Sequence, residues 1–138
     1  MQNSLVMENK CLLLVEDDIN VQASNKRILE RRGYKVRQAY TLAEARAIIG
    51  EEAPCAIVLD VMLPDGNGLD FLRQLRKTSS IPVLVLTAMD TRDDVISGIN
   101  AGGDNYLTKP YELNNFVTLV AELLKPETKD LSLFSDIC

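Results

Sequence analysis

The chain has 138 residues, 46% of them apolar, and sets 15 Lys and Arg against 20 Asp and Glu for a formal net charge of −5. That length argues for one domain, which at this size buries roughly 68% of its unfolded surface without disulfide or metal staples. The acidic balance makes direct nucleic acid binding by this segment unexpected, because such affinity comes from many neutralised phosphates. The chain contains no histidine, which excludes Ser-His-Asp and Cys-His catalysis, His-containing zinc sites and an internal phosphohistidine.

Residues 1–9 precede the patterned region and read as an arm. The run 11–15 (CLLLV) is apolar on both alternations and ends in Glu16-Asp17-Asp18. Runs of this kind suit strands covered on both faces of a parallel sheet, and 55–59 (CAIVL) and 82–86 (PVLVL) repeat the pattern. Between the first two, a helical stretch closes at Gly33, and 34–38 (YKVRQ) alternates like an edge strand. Thr41 with Glu44 forms a capping box ahead of Leu42, Ala45 and Ile49, and Gly50 reads as a left-handed C-cap. After the second central run comes Asp60, then a third helix marked by Leu69, Leu72 and Leu75. The third run ends in Thr87-Ala88, and the helix from about 91 to 101 has only Val95, Ile96 and Ile99 as a thin apolar stripe, as a movable element would. Gly102-Gly103 close it, 104–107 (DNYL) reads as a second edge strand, and Lys109-Pro110 follow. Leu113, Phe116, Val117, Val120 and Leu124 give the clearest helical period, and 126–138 read as a tail or linker remnant.

Five β-α units place the chain among doubly wound α/β folds with a single domain. Right-handed crossovers in the order 2-1-3-4-5 set the first and third strands side by side, so chemistry is expected at the C-terminal strand ends. Cys11 and Cys55 lie in or beside apolar runs without C-x-x-C spacing and read as small core residues of a reducing compartment. No apolar stretch approaches the roughly 20 residues of a spanning helix, and the amino terminus has no leader pattern, so a cytoplasmic protein without a membrane partner is expected.

Taken singly, the strand-end residues have ordinary explanations: Asp17 or Asp18 caps a helix, Asp60 forms a turn, Thr87 ends a strand and Lys109 is solvated. Together, Asp17, Asp18 and Asp60 bring three carboxylates to one rim, where they repel unless a cation neutralises them. Hard oxygen donors match Mg²⁺, or Mn²⁺ in its place.

The acidic pair, L-D-V-M-L-P-D-G-N-G, L-T-A and Y-L-T-K-P, in this order on these strand ends, resemble the receiver domain of two-component response regulators, a flavodoxin-like family. The resemblance runs from about Lys10 to Leu124 and implies a receiver unit over 10–125. It implies that Asp60 is the phosphoacceptor, supplied by the phosphohistidine of a sensor histidine kinase or histidine phosphotransfer protein. Asp18 would hold Mg²⁺ most directly, Asp17 through metal or water, and the Met62 backbone carbonyl would complete the protein ligands. Thr87, Ala88 and Lys109 would receive the phosphoryl group, and Thr87 with Tyr106 would switch the face made by the fourth helix, fifth strand and fifth helix, a surface for self-association. The resemblance further implies a cis Lys109-Pro110 bond. It also gives Met62 and Met89, two residues beyond the phosphoacceptor and beyond the threonine, a part in dephosphorylation; both are apolar, so a long-lived phosphoryl group is expected.

Other readings fit less well. A haloacid-dehalogenase-like phosphatase would need an aspartate where Met62 stands, and a flavin carrier's phosphate would be repelled by E-D-D. A degenerate receiver acting as a binding module stands as the alternative. The cluster Lys26, Arg27, Arg31, Arg32, Lys35 and Arg37 suits the carboxyl end of a helix dipole better than a docking patch. The fifth helix has no arginine, unlike subfamilies of the resembled family with winged-helix outputs, so their charged mode of dimerisation is not expected here.

Overall fold

The computed structural model describes residues 10–88 and 92–125. Five strands, β1 (Cys11–Val15), β2 (Lys35–Ala39), β3 (Ala56–Asp60), β4 (Val83–Thr87) and β5 (Asn105–Thr108), form one parallel sheet in the order β2-β1-β3-β4-β5. The expected order and the two expected edge strands are therefore observed. Four of the strands begin and end one residue later than the apolar runs alone indicate, because β3 and β4 carry their ladders through polar Asp60 and Thr87. Ladder hydrogen bonds depend on the backbone, so a polar side chain at the sheet rim does not stop the strand.

Helices α1 (Ile19–Arg31), α2 (Leu42–Glu51), α3 (Gly68–Leu75), α4 (Arg92–Ala101) and α5 (Leu113–Leu123) alternate with the strands. One apolar layer joins Leu13, Val15, Ile57, Leu59, Val83 and Val85 to Leu42 and Ala45 of α2, Leu69 and Leu72 of α3, and Ala101 of α4. The opposite layer joins Leu12, Leu14, Val58, Leu84 and Leu86 to Leu29 of α1 and to Phe116, Val117 and Val120 of α5. Odd and even residues of the same strands feed opposite layers, which is why the central runs are apolar at every position.

The helix ends follow local chemistry. Thr41 accepts the Glu44 amide at 3.1 Å, and Glu44 Oε1 takes the Tyr40 amide, as the capping box predicts. Gly33 and Gly102 adopt positive φ of 93° and 102° after helices, as expected of C-caps. Gly50 corrects the reading made of it: it lies inside α2, exposed and without positive φ, because Glu51 continues the helix to Glu52. The cysteines also differ from expectation. Cys55 is exposed and Cys11 half-buried, since both stand at the amino-terminal rim of the sheet, before the helical layers close over it.

Candidate functional site

The carboxyl ends of β1, β3, β4 and β5 converge on one rim. The β1–α1 corner is fixed by a buried amide: Gln22 Nε2 donates to the carbonyls of Leu14 at 3.0 Å, Glu16 at 3.1 Å and Ala39 at 2.9 Å. An unpaired buried amide is costly, so these bonds hold the strand ends against α1. Helix α1 begins immediately beyond the corner, and Asp18 Oδ1 accepts the Asn20 and Val21 amides at 2.9 and 3.1 Å.

With that cap made, the structure does not bring Asp18 into the acidic group expected of Asp17, Asp18 and Asp60. The acidic group that the fold assembles is Glu16, Asp17 and Asp60, each with a carboxylate oxygen within 4.8 Å of the others. Glu16, buried to 3% exposure, stands in this group, while Asp18 serves the first turn of α1. In sequence the three acids are equivalent; the start of α1 decides which of them turns away.

Asp60 is 5% exposed and Thr87 8%, each at the last position of its strand. Lys109 Nζ donates to Glu16 Oε1 at 2.8 Å and to Asp60 Oδ2 at 3.1 Å, and its amide donates to the Thr87 carbonyl at 2.8 Å. Burial alone would lower the Lys109 pKa, but the hydrogen bonds and charges of Glu16 and Asp60 outweigh it and hold the ammonium above its usual range. Asp17 is pushed up, by desolvation first and then by its hydrogen bond with Glu16 and the Glu16 charge. Like charges crowded in this way are what a divalent cation relieves. The three carboxylates carry a formal −3 and Lys109 +1, so a divalent ion brings the group to neutrality.

The loop after Asp60 is anchored at both ends. Met62–Leu63 pairs with Gly66–Asn67 as a short antiparallel hairpin, and Asn67 caps α3 by accepting the Leu69 amide at 2.7 Å. Asp65 reaches back to the start of α2, where its two oxygens accept the Leu42 and Ala43 amides at 2.9 and 3.0 Å. These amide bonds hold the Asp65 carboxyl below its usual range. Gly68 lies so close beneath Asp60 that a Cβ there would stand 2.2 Å from the Asp60 carbonyl oxygen. Absence of a side chain lets α3 start directly under Asp60.

Beyond Lys109, the peptide to Pro110 is cis, as expected. Tyr111 stacks on Phe116 with ring centroids 5.6 Å apart and accepts the Asn25 amide at 2.9 Å, which ties this loop to α1 and α5. Tyr106 pairs with Val85 in the β4–β5 register and Thr108 with Thr87, so the Tyr106 and Thr87 side chains share one face of the sheet. The Tyr106 hydroxyl is buried, with no hydrogen-bond partner among the described residues. Ala88 follows at an exposed position, Met62 is 66% exposed, and Met89 lies outside the described residues.

Sequence reasoning did not find Glu16, Gln22 or Asp65. Glu16 was legible as the first acid after the run. Gln22 and Asp65 have no local signal, because their partners are 6 to 23 residues away.

A parallel 2-1-3-4-5 sheet with an acidic group and a lysine at its switch point defines a doubly wound α/β domain whose site lies outside the carboxyl ends of its strands. Residues 12–121 match the family model described as the response regulator receiver domain, and the chain belongs to that family. It is 42% identical over 120 residues to response regulator MprA of Mycolicibacterium vanbaalenii, covering 86% of this chain and 52% of the relative. It is 41% identical over 133 residues to response regulator MprA of Mycobacterium tuberculosis, covering 91% and 58%. The chain thus spans about half the length of these relatives. Among solved structures it resembles a Francisella response regulator receiver domain at TM-score 0.80 and 31% identity, covering 83% and 96% of the two chains. It also resembles the BeF3-activated receiver domain of Klebsiella pneumoniae RstA at TM-score 0.80 and 25% identity, covering 85% and 100%.

Proposed function

We propose that this receiver domain, spanning 10–125, accepts a phosphoryl group on Asp60 from a partner phosphohistidine in a Mg²⁺-dependent reaction and relays the change to the α4-β5-α5 face. The observation that carries the reading is the Asp60 carboxylate, bonded to Lys109 and grouped with Glu16 and Asp17 at the rim. An Asp60 oxygen attacks phosphorus, the N–P bond of the phosphohistidine breaks, and the imidazole leaves with the electron pair and takes up a proton. Asp17, Asp60 and the Met62 carbonyl would hold Mg²⁺, or Mn²⁺, with Glu16 reaching it directly or through water. The ion's chemistry there is charge neutralisation on the phosphoryl oxygens.

Lys109 is already fixed by two carboxylates, so it meets the developing charge without reorganisation. The Thr87 hydroxyl, with small Ala88 beside it, turns to the new phosphoryl oxygens. Tyr106, on the same sheet face, follows it. The exposed Ile19 and the groove of about 580 Å³ lined by Val21, Ser24, Asn25, Pro110, Tyr111 and Leu113 flank the rim, where a kinase or phosphotransfer protein would rest. Exposed Ile96 and Ile99 on α4 suit self-association of the signalling face. Among the described residues no helix is long and apolar enough to cross a membrane.

The test is incubation with Mg²⁺ and acetyl phosphate, followed by mapping of the acid-labile phosphate. One acyl phosphate on Asp60, lost in Asp60→Asn, is the expected result. No incorporation would assign the degenerate binding module instead, and continuous release of phosphate by turnover would assign the phosphatase.

A further inference from the structure

At the opposite end of β1 and β3 from the acidic rim, Cys11 and Cys55 stand side by side. The Cys55 amide donates to the Cys11 carbonyl at 2.8 Å, immediately before the Leu12–Ala56 register pair. With standard backbone lengths, that bond limits the two Cα atoms to about 6.7 Å apart. A disulfide accepts Cα separations of about 4.4–6.8 Å. Both cysteines line one cavity of about 340 Å³ with Lys35, Val36, Arg37, Glu52 and Ala53.

We propose that Cys11 and Cys55 form a redox modification site, a dithiol that a small hydroperoxide converts to an intramolecular disulfide joining β1 to β3. Cys55 is the exposed member and meets the oxidant first. Its thiolate attacks one peroxide oxygen, the O–O bond breaks, and the departing oxygen leaves as water or alcohol after taking up a proton. The sulfenic acid so formed is then attacked by the Cys11 sulfur; the S–S bond forms, the S–O bond breaks, and water leaves with the Cys11 proton. Two electrons pass from the sulfurs to the peroxide. Burial, reinforced by the Glu52 charge, pushes the Cys11 thiol up, which suits the resolving partner rather than the first nucleophile. The charges of Arg37 and Lys35, on the cavity wall, oppose part of that rise at Cys11.

The site is independent of the phosphoryl chemistry, since it uses neither Asp60 nor Lys109. The test treats the folded full chain with hydrogen peroxide, blocks remaining thiols with iodoacetamide and maps peptides without reduction. Cys11 and Cys55 should lose alkylation together, with one linked peptide carrying both, in wild type and in Cys138→Ser. In Cys11→Ser, Cys55 should be trapped by dimedone as the sulfenic acid. The thermal midpoint should rise on oxidation of wild type, and the rise should vanish in Cys11→Ser. The proposal is overturned if both thiols stay alkylatable in the folded chain, if Cys55 pairs with Cys138 or a second molecule, or if Cys55 proceeds to sulfinic acid while Cys11 stays reduced.

Discussion

Gly68→Ala isolates the contact that sets α3 beneath Asp60. The added Cβ would stand 2.2 Å from the Asp60 carbonyl oxygen and 3.1 Å from both the Asp60 carbonyl carbon and the Val61 Cα, more than an ångström short of contact with the oxygen. All three neighbours are backbone atoms, so no side chain can swing aside, and either α3 or the end of β3 must move. Overpacking of this kind costs about 1–3 kcal/mol, and rigid neighbours place it at the upper end. Replacing glycine in a helix returns at most about 1 kcal/mol in propensity. The clash wins, for a net loss of about 2 kcal/mol. At a urea dependence of about 1.5 kcal/mol per molar, the midpoint falls by about 1.3 M. Gly50→Ala is the internal control, because a Cβ there meets nothing within 4 Å and the residue is helical and exposed. It should raise the midpoint by about 0.5 M, from a gain of about 0.5–1 kcal/mol. Urea unfolding by circular dichroism, together with phosphate uptake from acetyl phosphate, reads both variants. A Gly68→Ala midpoint within about 0.3 M of wild type, with unchanged uptake, would refute the close-approach argument.

Asp17→Asn should weaken Mg²⁺ binding in a fluorescence or calorimetric titration, whereas Asp18→Ala should leave it near wild type and instead lose about 1 kcal/mol of stability with the helix cap. The reverse ranking would restore Asp18 to the metal site. Asp65→Ala should destabilise the domain at neutral pH and match wild type in strong acid. The Asp65 carboxyl lies below its usual 3.8 when folded, so its contribution is present above that value and is lost as pH falls through the lower folded one. Unfolding midpoints of the pair that stay equally separated down to the lowest pH would show that the two α2 amides do not hold it. Met62→Asn should speed loss of phosphate on the order of tenfold by supplying a polar group to an attacking water; an unchanged half-life would place control of lifetime elsewhere.

Much of this domain is written locally. Composition excludes histidine chemistry; three apolar runs and two edge segments mark five strands, which right-handed crossovers place in the observed order; Thr41 and Glu44 specify the start of α2 through bonds that span three or four residues. Asp60, Thr87 and Lys109 are legible because strands ending at one rim of a parallel sheet must present their last side chains together.

Choices between neighbouring residues belong to the tertiary structure. Glu16, Asp17 and Asp18 are consecutive acids, and only the position of α1 commits Asp18 to backbone amides and leaves the other two to Asp60. Gly50 and Gly102 look alike as helix stops, yet continuation through Glu51 keeps one helical while the turn into β5 gives the other positive φ. Cys55 belongs to an apolar run but lies exposed beside Cys11, because burial depends on where the helical layers end rather than on the strand. The cap that Asp65 places on α2 joins residues far apart in sequence, and a hydrogen bond of that reach exists only once the sheet has brought the two loops together.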